Sequence, residues 1–255
     1  MLYSGIFRPT LKMLSQRGQV RCGKIVHFRA PKGEDKTHPK IPGFTNINAT
    51  SGNKTWKGLS PMVLGPFQVI ERRFPTRDYP DGVHPGFVAV NEQLQGAVSY
   101  NLENWWQYSK LYDVDGPFDL NYGNLPRTFL LRRAQGLGDP KPHRRALPKA
   151  KGTPVASYFD ARVFSYIPSR KFYCTVYEAL VIRTPEYQNL LQRLANGENL
   201  LVIGYDGFDL PITNEAVQQA YDDPSRPFGH ELVLFTMLNG LRQPWIESVV
   251  PSVIR

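Results

Sequence analysis

Cysteine is scarce in this chain, with two residues in 255. Cys22 and Cys174 have neither the number nor the spacing of a disulfide framework or a metal site, so we interpret both as buried free thiols. No apolar run approaches the ~20 residues that a membrane-spanning helix needs, and the first residues lack the apolar core and cleavage pattern of a signal peptide. The sequence therefore predicts a reducing, cytoplasmic location and no membrane partner.

Signatures of common cofactors and metals are also missing. The spacing of His, Cys and carboxylate residues that a metal site needs is absent, and so are the glycine patterns of Walker and Rossmann phosphate loops. No internal repeat is visible. We therefore expect neither a metal nor a cofactor, and the sequence does not indicate an oligomeric state.

Positive charge is in excess, with a net charge of +9 and a pI near 9.5. A basic surface suits an anionic partner such as a nucleotide, a nucleic acid or another phosphate compound. It can equally serve solubility alone. The densest basic cluster, Lys141–Gly152, has the composition of a solvated loop.

The composition is that of a packed globular protein with many irregular connections. Hydrophobic residues make up 41% and aromatic residues 12% of the chain, which also contains 22 Pro and 21 Gly. We predict an α+β fold: a mainly helical single domain over residues 1–255, with a small antiparallel β-sheet and long Pro/Gly-rich loops. Loop insertions are expected at 30–57 and 113–160.

Hydrophobic periodicity and capping signals predict the individual elements. The predicted strands are Gly23–Arg29, Phe67–Phe74, Phe87–Val90 and Asn199–Tyr205. The predicted helices are Asn101–Tyr112, Arg127–Gln135, Pro185–Leu194 and Phe228–Arg242, while Phe172–Val181 fits either a strand or a helix.

The segment Asn101–Tyr112, NLENWWQYSKLY, combines polar and aromatic residues in a helical pattern. Helical spacing puts four of them on one stripe: Glu103, Trp106, Gln107 and Lys110. A carboxylate, an aromatic ring, an amide and an ammonium on one face suit a nucleotide-like ligand. The alternative is that the charged residues are ordinary surface groups and the tryptophans belong to the core.

The string ENWWQYSKLY resembles the signature E-H-Y-F-Q-x-x-K-F of the NADAR family of YbiA-like proteins. The signature positions are matched by Glu103, Trp105, Trp106, Gln107 and Lys110. Asn104 replaces the family's usual His. The order of segments is also similar towards both ends of the chain. The resemblance implies a distant NADAR-like member, with the α+β fold of that family.

NADAR proteins are N-glycosidases, so the resemblance implies hydrolysis of a ribosyl N-glycosidic bond. The substrates expected from it are ADP-ribosyl-guanine, in a nucleic acid or a nucleotide, and phosphoribosyl N-glycosides. A carboxylate beside the anomeric carbon stabilises an oxocarbenium-like transition state and orients water, which is the role we assign to Glu103. Trp106 would stack on the base, and Lys110 would meet phosphate or a sugar hydroxyl.

Further residues complete the expected site. Asp206 would bind ribose hydroxyls or assist the attacking water, although an Asp before Gly is also typical of a turn. The remaining expected substrate contacts are Arg29, Ser60, Asn104, Gln107 and His230. Arg29 could instead be a plain surface residue, and His230 could simply start a helix.

Two other functions compete with the hydrolase. The same face could recognise a nucleotide or nucleic acid without cleaving it. The chain could also be a structural component, for example of a virus particle, in which case Glu103 and Lys110 would be salt-bridged away from any cavity.

Overall fold

The computed structural model describes residues 23–29, 41–48, 54–68, 98–116, 125–159, 162–204 and 207–247. The strands are β1 Ile25–Arg29, β2 Phe44–Asn48, β3 Phe67–Gln68, β4 Val98–Ser99, β5 Lys110–Tyr112, β6 Pro154–Phe159, β7 Arg162–Phe164 and β8 Asn199–Gly204. The α-helices are α1 Leu102–Tyr108, α2 Arg127–Gly138, α3 Tyr166–Val181, α4 Pro185–Ala195, α5 Asn214–Asp222, α6 His230–Leu238 and α7 Pro244–Glu247. The 3-10 helices are Lys54–Leu59, Asp113–Asp115 and Lys149–Lys151.

The described chain divides into two compact units. The first unit contains residues 23–29, 41–48, 54–58, 182–204 and 207–244, and the second contains 59–68, 98–116, 125–159, 162–181 and 245–247. The α+β class is confirmed. The expectation of one domain over the whole chain stays a prediction.

The first unit is built on a three-stranded parallel sheet in the order β1-β8-β2. Its central strand reads NLLVIG, and residues 200 to 203 are fully buried because a middle strand of a parallel sheet is covered on both faces. The helix α6 packs on β1 and β8. The predicted sheet was antiparallel, so the direction of these strands corrects the prediction.

The second unit contains an antiparallel sheet in the order β5-β6-β7, formed by segments that the sequence did not predict as strands. A separate two-stranded ladder joins β3 to β4. The helices α1 and α2 contact each other, and α3 contacts both α1 and β6. An aromatic cluster fills the space between them, with ring centroids 4.7 Å apart for Trp105 and Phe159 and 5.0 Å apart for Phe159 and Phe172.

Local signals predict several elements well. Helix α4 begins after Thr184, whose side chain accepts a hydrogen bond from the Tyr187 amide, and it ends at Asn196–Gly197 as expected. The ambiguous segment Phe172–Val181 is helical, within α3. Cys174 is a buried free thiol, as expected, and its burial raises the pKa of the thiol. Cys22 lies outside the described residues.

Other elements depart from the prediction. The two expected loop insertions contain strands, β2 in the first and β6 in the second, while the helix expected at Arg127–Gln135 is confirmed as α2. Helix α5 was not predicted at all. The predicted strand Phe87–Val90 and most of Phe67–Phe74 lie outside the described residues. None of the described helices is long and apolar enough to cross a membrane.

Candidate active site

Helix α1 is fixed at its start by Asn101. This residue has extended backbone angles, and its side chain accepts a hydrogen bond of 2.8 Å from the Asn104 amide, which satisfies one free N–H of the first turn. Asn101 is itself buried. The helix therefore begins where the sequence predicts it, immediately after this residue.

The helix ends earlier than predicted, at Tyr108. The carbonyl of Ser109 accepts a 2.7 Å hydrogen bond from the Tyr158 amide, and Lys110 then pairs with Ser157 on β6. From the Ser109 carbonyl to Tyr112 the backbone therefore pairs with strand β6 and no longer bonds within the helix. Lys110 belongs to β5 and not to the helical stripe on which the sequence put it.

The backbone of Glu103 is anchored to the segment that precedes β3. Its amide donates a 2.9 Å hydrogen bond to the Pro61 carbonyl, and the Leu102 amide donates a 2.7 Å bond to the Leu64 carbonyl. Ser60 begins this segment and is buried, with its hydroxyl accepting a 3.4 Å hydrogen bond from the Met62 amide. Ser60 therefore shapes the turn beside Glu103, and its expected contact with substrate stays a prediction.

A carboxylate, an amide and an ammonium are joined in series, although the helix ends before Lys110. The Gln107 side-chain amide donates a 2.9 Å hydrogen bond to Oε1 of Glu103, and Nζ of Lys110 donates a 2.9 Å bond to Oε1 of Gln107. We call these three residues the Glu103–Gln107–Lys110 chain. Because Lys110 occupies the amide oxygen, the NH2 group of Gln107 is held towards Glu103.

Lys110 is the most perturbed member of this chain. Burial lowers the pKa of Lys110 to about 8; Glu103 opposes this shift, and the positive charge of Arg145 adds to it. The ammonium also lies 5.1 Å from the centre of the Trp106 ring. At neutral pH Lys110 is therefore still a cation, held where a further negative charge would stabilise it.

Trp106 forms the aromatic side of the site. Its ring lies nearly parallel to Phe159, at 5.8 Å and 9° between planes, and it is tilted against Tyr173 at 4.9 Å. The side chain is only partly buried. These contacts fix the orientation of the ring, and its stacking on a base stays a prediction.

Asn104 serves the fold. The side chain is fully buried, and its Nδ2 donates 2.9 Å hydrogen bonds to the carbonyls of Asp139 and Lys141 while its Oδ1 accepts a 2.7 Å bond from the His143 amide. Three backbone groups therefore use the hydrogen-bonding capacity of this amide. Asn104 holds the turn at 139–143, which corrects our expectation that it contacts substrate.

The other predicted site residues are not all in the same unit. Arg29 ends β1 in the first unit, where its amide donates a 2.8 Å hydrogen bond to Oδ1 of Asp209. His230 starts α6 in the same unit, with Nδ1 3.5 Å from Oε2 of Glu231. Asp206 lies outside the described residues. The meeting of these three with Glu103 stays a prediction.

Sequence reasoning missed three neighbours of the site. Arg145 acts on Lys110 through its charge, and Phe159 and Tyr173 pack on Trp106. Each lies 35 or more residues along the chain from the residue that it meets. In the sequence, the aromatic residues around Phe159 and Tyr173 are the only sign that these segments could pack on Trp106.

The alternative of a structural component stays a prediction. Within the described ranges, no direct ion pair joins Glu103 to Lys110, and the amide of Gln107 stands between them. The same described residues contain no group of three or more His, Cys, Asp or Glu side chains that could hold a metal ion.

Comparison of the chain with protein-family models, with curated proteins and with solved structures finds no match. The resemblance to NADAR proteins therefore stays a prediction.

Proposed function

We propose that the chain is an N-glycosidase that hydrolyses a ribosyl N-glycosidic bond, in an ADP-ribosyl or phosphoribosyl compound. The observation that carries the proposal is the Glu103–Gln107–Lys110 chain beside the Trp106 ring. It puts a carboxylate with a fixed orientation and a partly desolvated cation next to an aromatic surface.

Glu103 supplies the catalytic carboxylate. As the bond from C1′ to the base nitrogen breaks, its electron pair leaves with the base, and positive charge develops on the ribose. A carboxylate held beside C1′ stabilises that charge without having to reorient, because Gln107 already fixes one of its oxygens. The same carboxylate accepts a proton from the attacking water, whose oxygen forms the new bond to C1′. The base nitrogen takes up a proton on departure.

Lys110 binds the anionic part of the substrate. A buried ammonium whose pKa is lowered to about 8 gains from a second negative charge, since the phosphate replaces part of the hydration that burial removed. Phosphate binding should therefore raise the pKa of Lys110. Gln107 is a positioning residue, because it connects Lys110 to Glu103 and keeps the two groups apart.

The experiment compares the native chain with Glu103→Gln, which preserves the shape of the side chain and removes its charge. Both proteins are incubated with an oligonucleotide carrying ADP-ribosylated guanine and, separately, with a phosphoribosyl pyrimidine amine, and the released base is measured by liquid chromatography and mass spectrometry. We expect release by the native chain and a loss of roughly 100-fold or more in Glu103→Gln, the scale of losing one electrostatic stabiliser.

The matched control is Glu215→Gln, which removes an exposed carboxylate from α5 in the first unit. This variant should cleave at the native rate. Absence of release from both substrates by the native chain would contradict the proposal, and so would equal rates for the native chain and Glu103→Gln. Ligand binding that survives in both, without cleavage, would point to a recognition protein.

A further inference from the structure

Most of the excess positive charge lies in one stretch of the second unit. Residues 127–151 contain eight Lys and Arg residues against a single acidic residue, Asp139, whereas the whole chain has a net charge of +9. Within this stretch, Arg132 is paired with Asp115 and Arg133 is buried. The charge that solvent can reach is therefore concentrated in the later part, residues 139–151, which we call the basic loop.

Four cations of the basic loop are exposed: Lys141, Arg144, Lys149 and Lys151. None of them forms an ion pair with a carboxylate in the described part of the chain. Like charges held near one another in water repel, and the repulsion is relieved when an anion binds. These four side chains are thus available to an external polyanion.

The basic loop has a fixed backbone even though it is mostly irregular. Asn104 holds its first residues through three hydrogen bonds of 2.7–2.9 Å. The Lys141 amide donates a 2.8 Å bond to Asp139 Oδ1, and the Lys151 amide donates a 2.9 Å bond to the Pro148 carbonyl. A loop that is already ordered loses little conformational entropy on binding, which distinguishes it from a flexible solvated tail.

The basic loop adjoins the candidate active site. Asn104, which holds the loop, directly follows Glu103 on α1. Arg145 of the same loop is close enough for its charge to lower the pKa of Lys110. A ligand that lay along the basic loop would therefore pass beside the Glu103–Gln107–Lys110 chain.

We propose that the basic loop binds the sugar-phosphate backbone of a nucleic acid strand, so that the substrate of the proposed N-glycosidase is a modified base within a polymer. The claim that the substrate is a modified base within a polymer rests on the proposed function. The binding of the strand to the basic loop does not depend on that function. A free nucleotide carries its phosphates at one point, which Lys110 alone can meet. Four exposed cations over eleven residues instead suit a ligand whose charges repeat along its length, about every 3.4 Å for one strand.

The test measures binding of an unmodified, fluorescein-labelled 20-nucleotide single-stranded DNA by anisotropy, over a series of NaCl concentrations. The variant combines Lys141→Ala, Arg144→Ala, Lys149→Ala and Lys151→Ala. Each lost phosphate contact should lower the slope of log Kd against log salt by ~0.7, so four should lower it by ~3 and weaken binding by roughly 10- to 200-fold at 0.15 M salt.

The control variant removes four exposed cations from the first unit: Lys24→Ala, Lys57→Ala, Arg183→Ala and Arg226→Ala. It has the same net charge as the test variant, so an effect of overall charge alone would weaken both equally. Thermal melting checks that both variants fold. We expect the control to keep the native slope and to bind within about threefold of the native Kd, the change that long-range charge alone should cause.

Three results would overturn the inference. One is an unchanged Kd and slope in the basic-loop variant, and another is an equal loss in the control. The third is tighter binding of the native chain to vesicles of phosphatidylcholine with 30% phosphatidylserine, lost in the same variant, because that would identify a membrane surface. Binding by the basic loop without any base release would thus leave this inference standing and reject the N-glycosidase.

Discussion

Replacing Lys110 by Met should stabilise the fold at neutral pH. Burial lowers the pKa of Lys110 from 10.5 to about 8. A shift of one unit corresponds to ~1.4 kcal/mol, so the charged side chain costs the folded state up to about 3 kcal/mol. Met has a similar length and no charge. It forfeits the hydrogen bond to Gln107 and the contact with the Trp106 ring, each of which contributes about 1 kcal/mol. The net gain at pH 7 should be about 1 kcal/mol.

The pH dependence of the stability difference shows whether burial of the Lys110 charge is its cause. The unfolded chain binds more protons than the folded chain between about pH 8 and pH 10.5, so the native protein gains stability as the pH rises through this window. The penalty is complete below pH 8 and absent above pH 10.5. The advantage of Lys110→Met should therefore shrink, and then reverse, as the pH approaches 10.5.

Urea unfolding of both proteins at pH 7, 8, 9 and 10, followed by tryptophan fluorescence, measures this difference. Lys149→Met is the control, because it removes the same charge from an exposed position of the same unit. A Lys110→Met variant that is less stable than the native chain by the same amount at every pH would refute the reasoning. It would mean that Lys110 is well solvated and contributes only its contacts.

Three other perturbations test the described packing. Asn104→Ala should lower the free energy of unfolding by about 2–4 kcal/mol, since it deprives three backbone groups of their partner; thermal melting that stays within ~1 °C of the native value would argue against these bonds. Gly136→Ala should lower the free energy of unfolding in urea by about 1–3 kcal/mol, because its Cβ would stand 2.1 Å from the ring of Tyr108. In the control Gly138→Ala the new Cβ meets nothing within 4 Å, and the loss should not exceed a few tenths of a kcal/mol. The pKa of His27 is lowered to about 4 by burial, so native stability falls as the pH drops from 6.5 to 4, and His27→Phe should lose much less over that range; parallel acid-unfolding curves would contradict this.

The helix α4 could be predicted because its signals are local. Thr184 caps it, Pro185 occupies its first turn, and Asn196–Gly197 ends it, all within about a dozen residues. Helix α5 offers similar signals, since Thr213 caps it and Val217, Ala220 and Tyr221 share its buried face. Local signals of the same kind therefore indicate α5.

Other features depend on partners distant in sequence. Strand β2 reads FTNIN, in which Phe, Thr and Ile favour a strand and the two Asn residues do not. It becomes a strand because it pairs with β8 some 150 residues later. Lys110 lies in a strand and not in helix α1 for the same reason, because it pairs with β6. At the site, the contact of Gln107 with Glu103 followed from helical spacing, whereas the effect of Arg145 on Lys110 did not.

The order of strands in the first unit bears on how the chain is made. Strands β1 and β2 lie on opposite sides of β8 and do not pair with each other. Both must therefore remain without their shared neighbour until residues 199–204 have left the ribosome. At a synthesis rate of ~5–20 residues per second, the ~150 residues between β2 and β8 correspond to a delay of roughly 8–30 seconds. During this delay Val26, Phe28 and Phe44 lack Leu201 and Ile203, the residues on which they pack, so we expect the nascent chain to expose apolar side chains that favour aggregation.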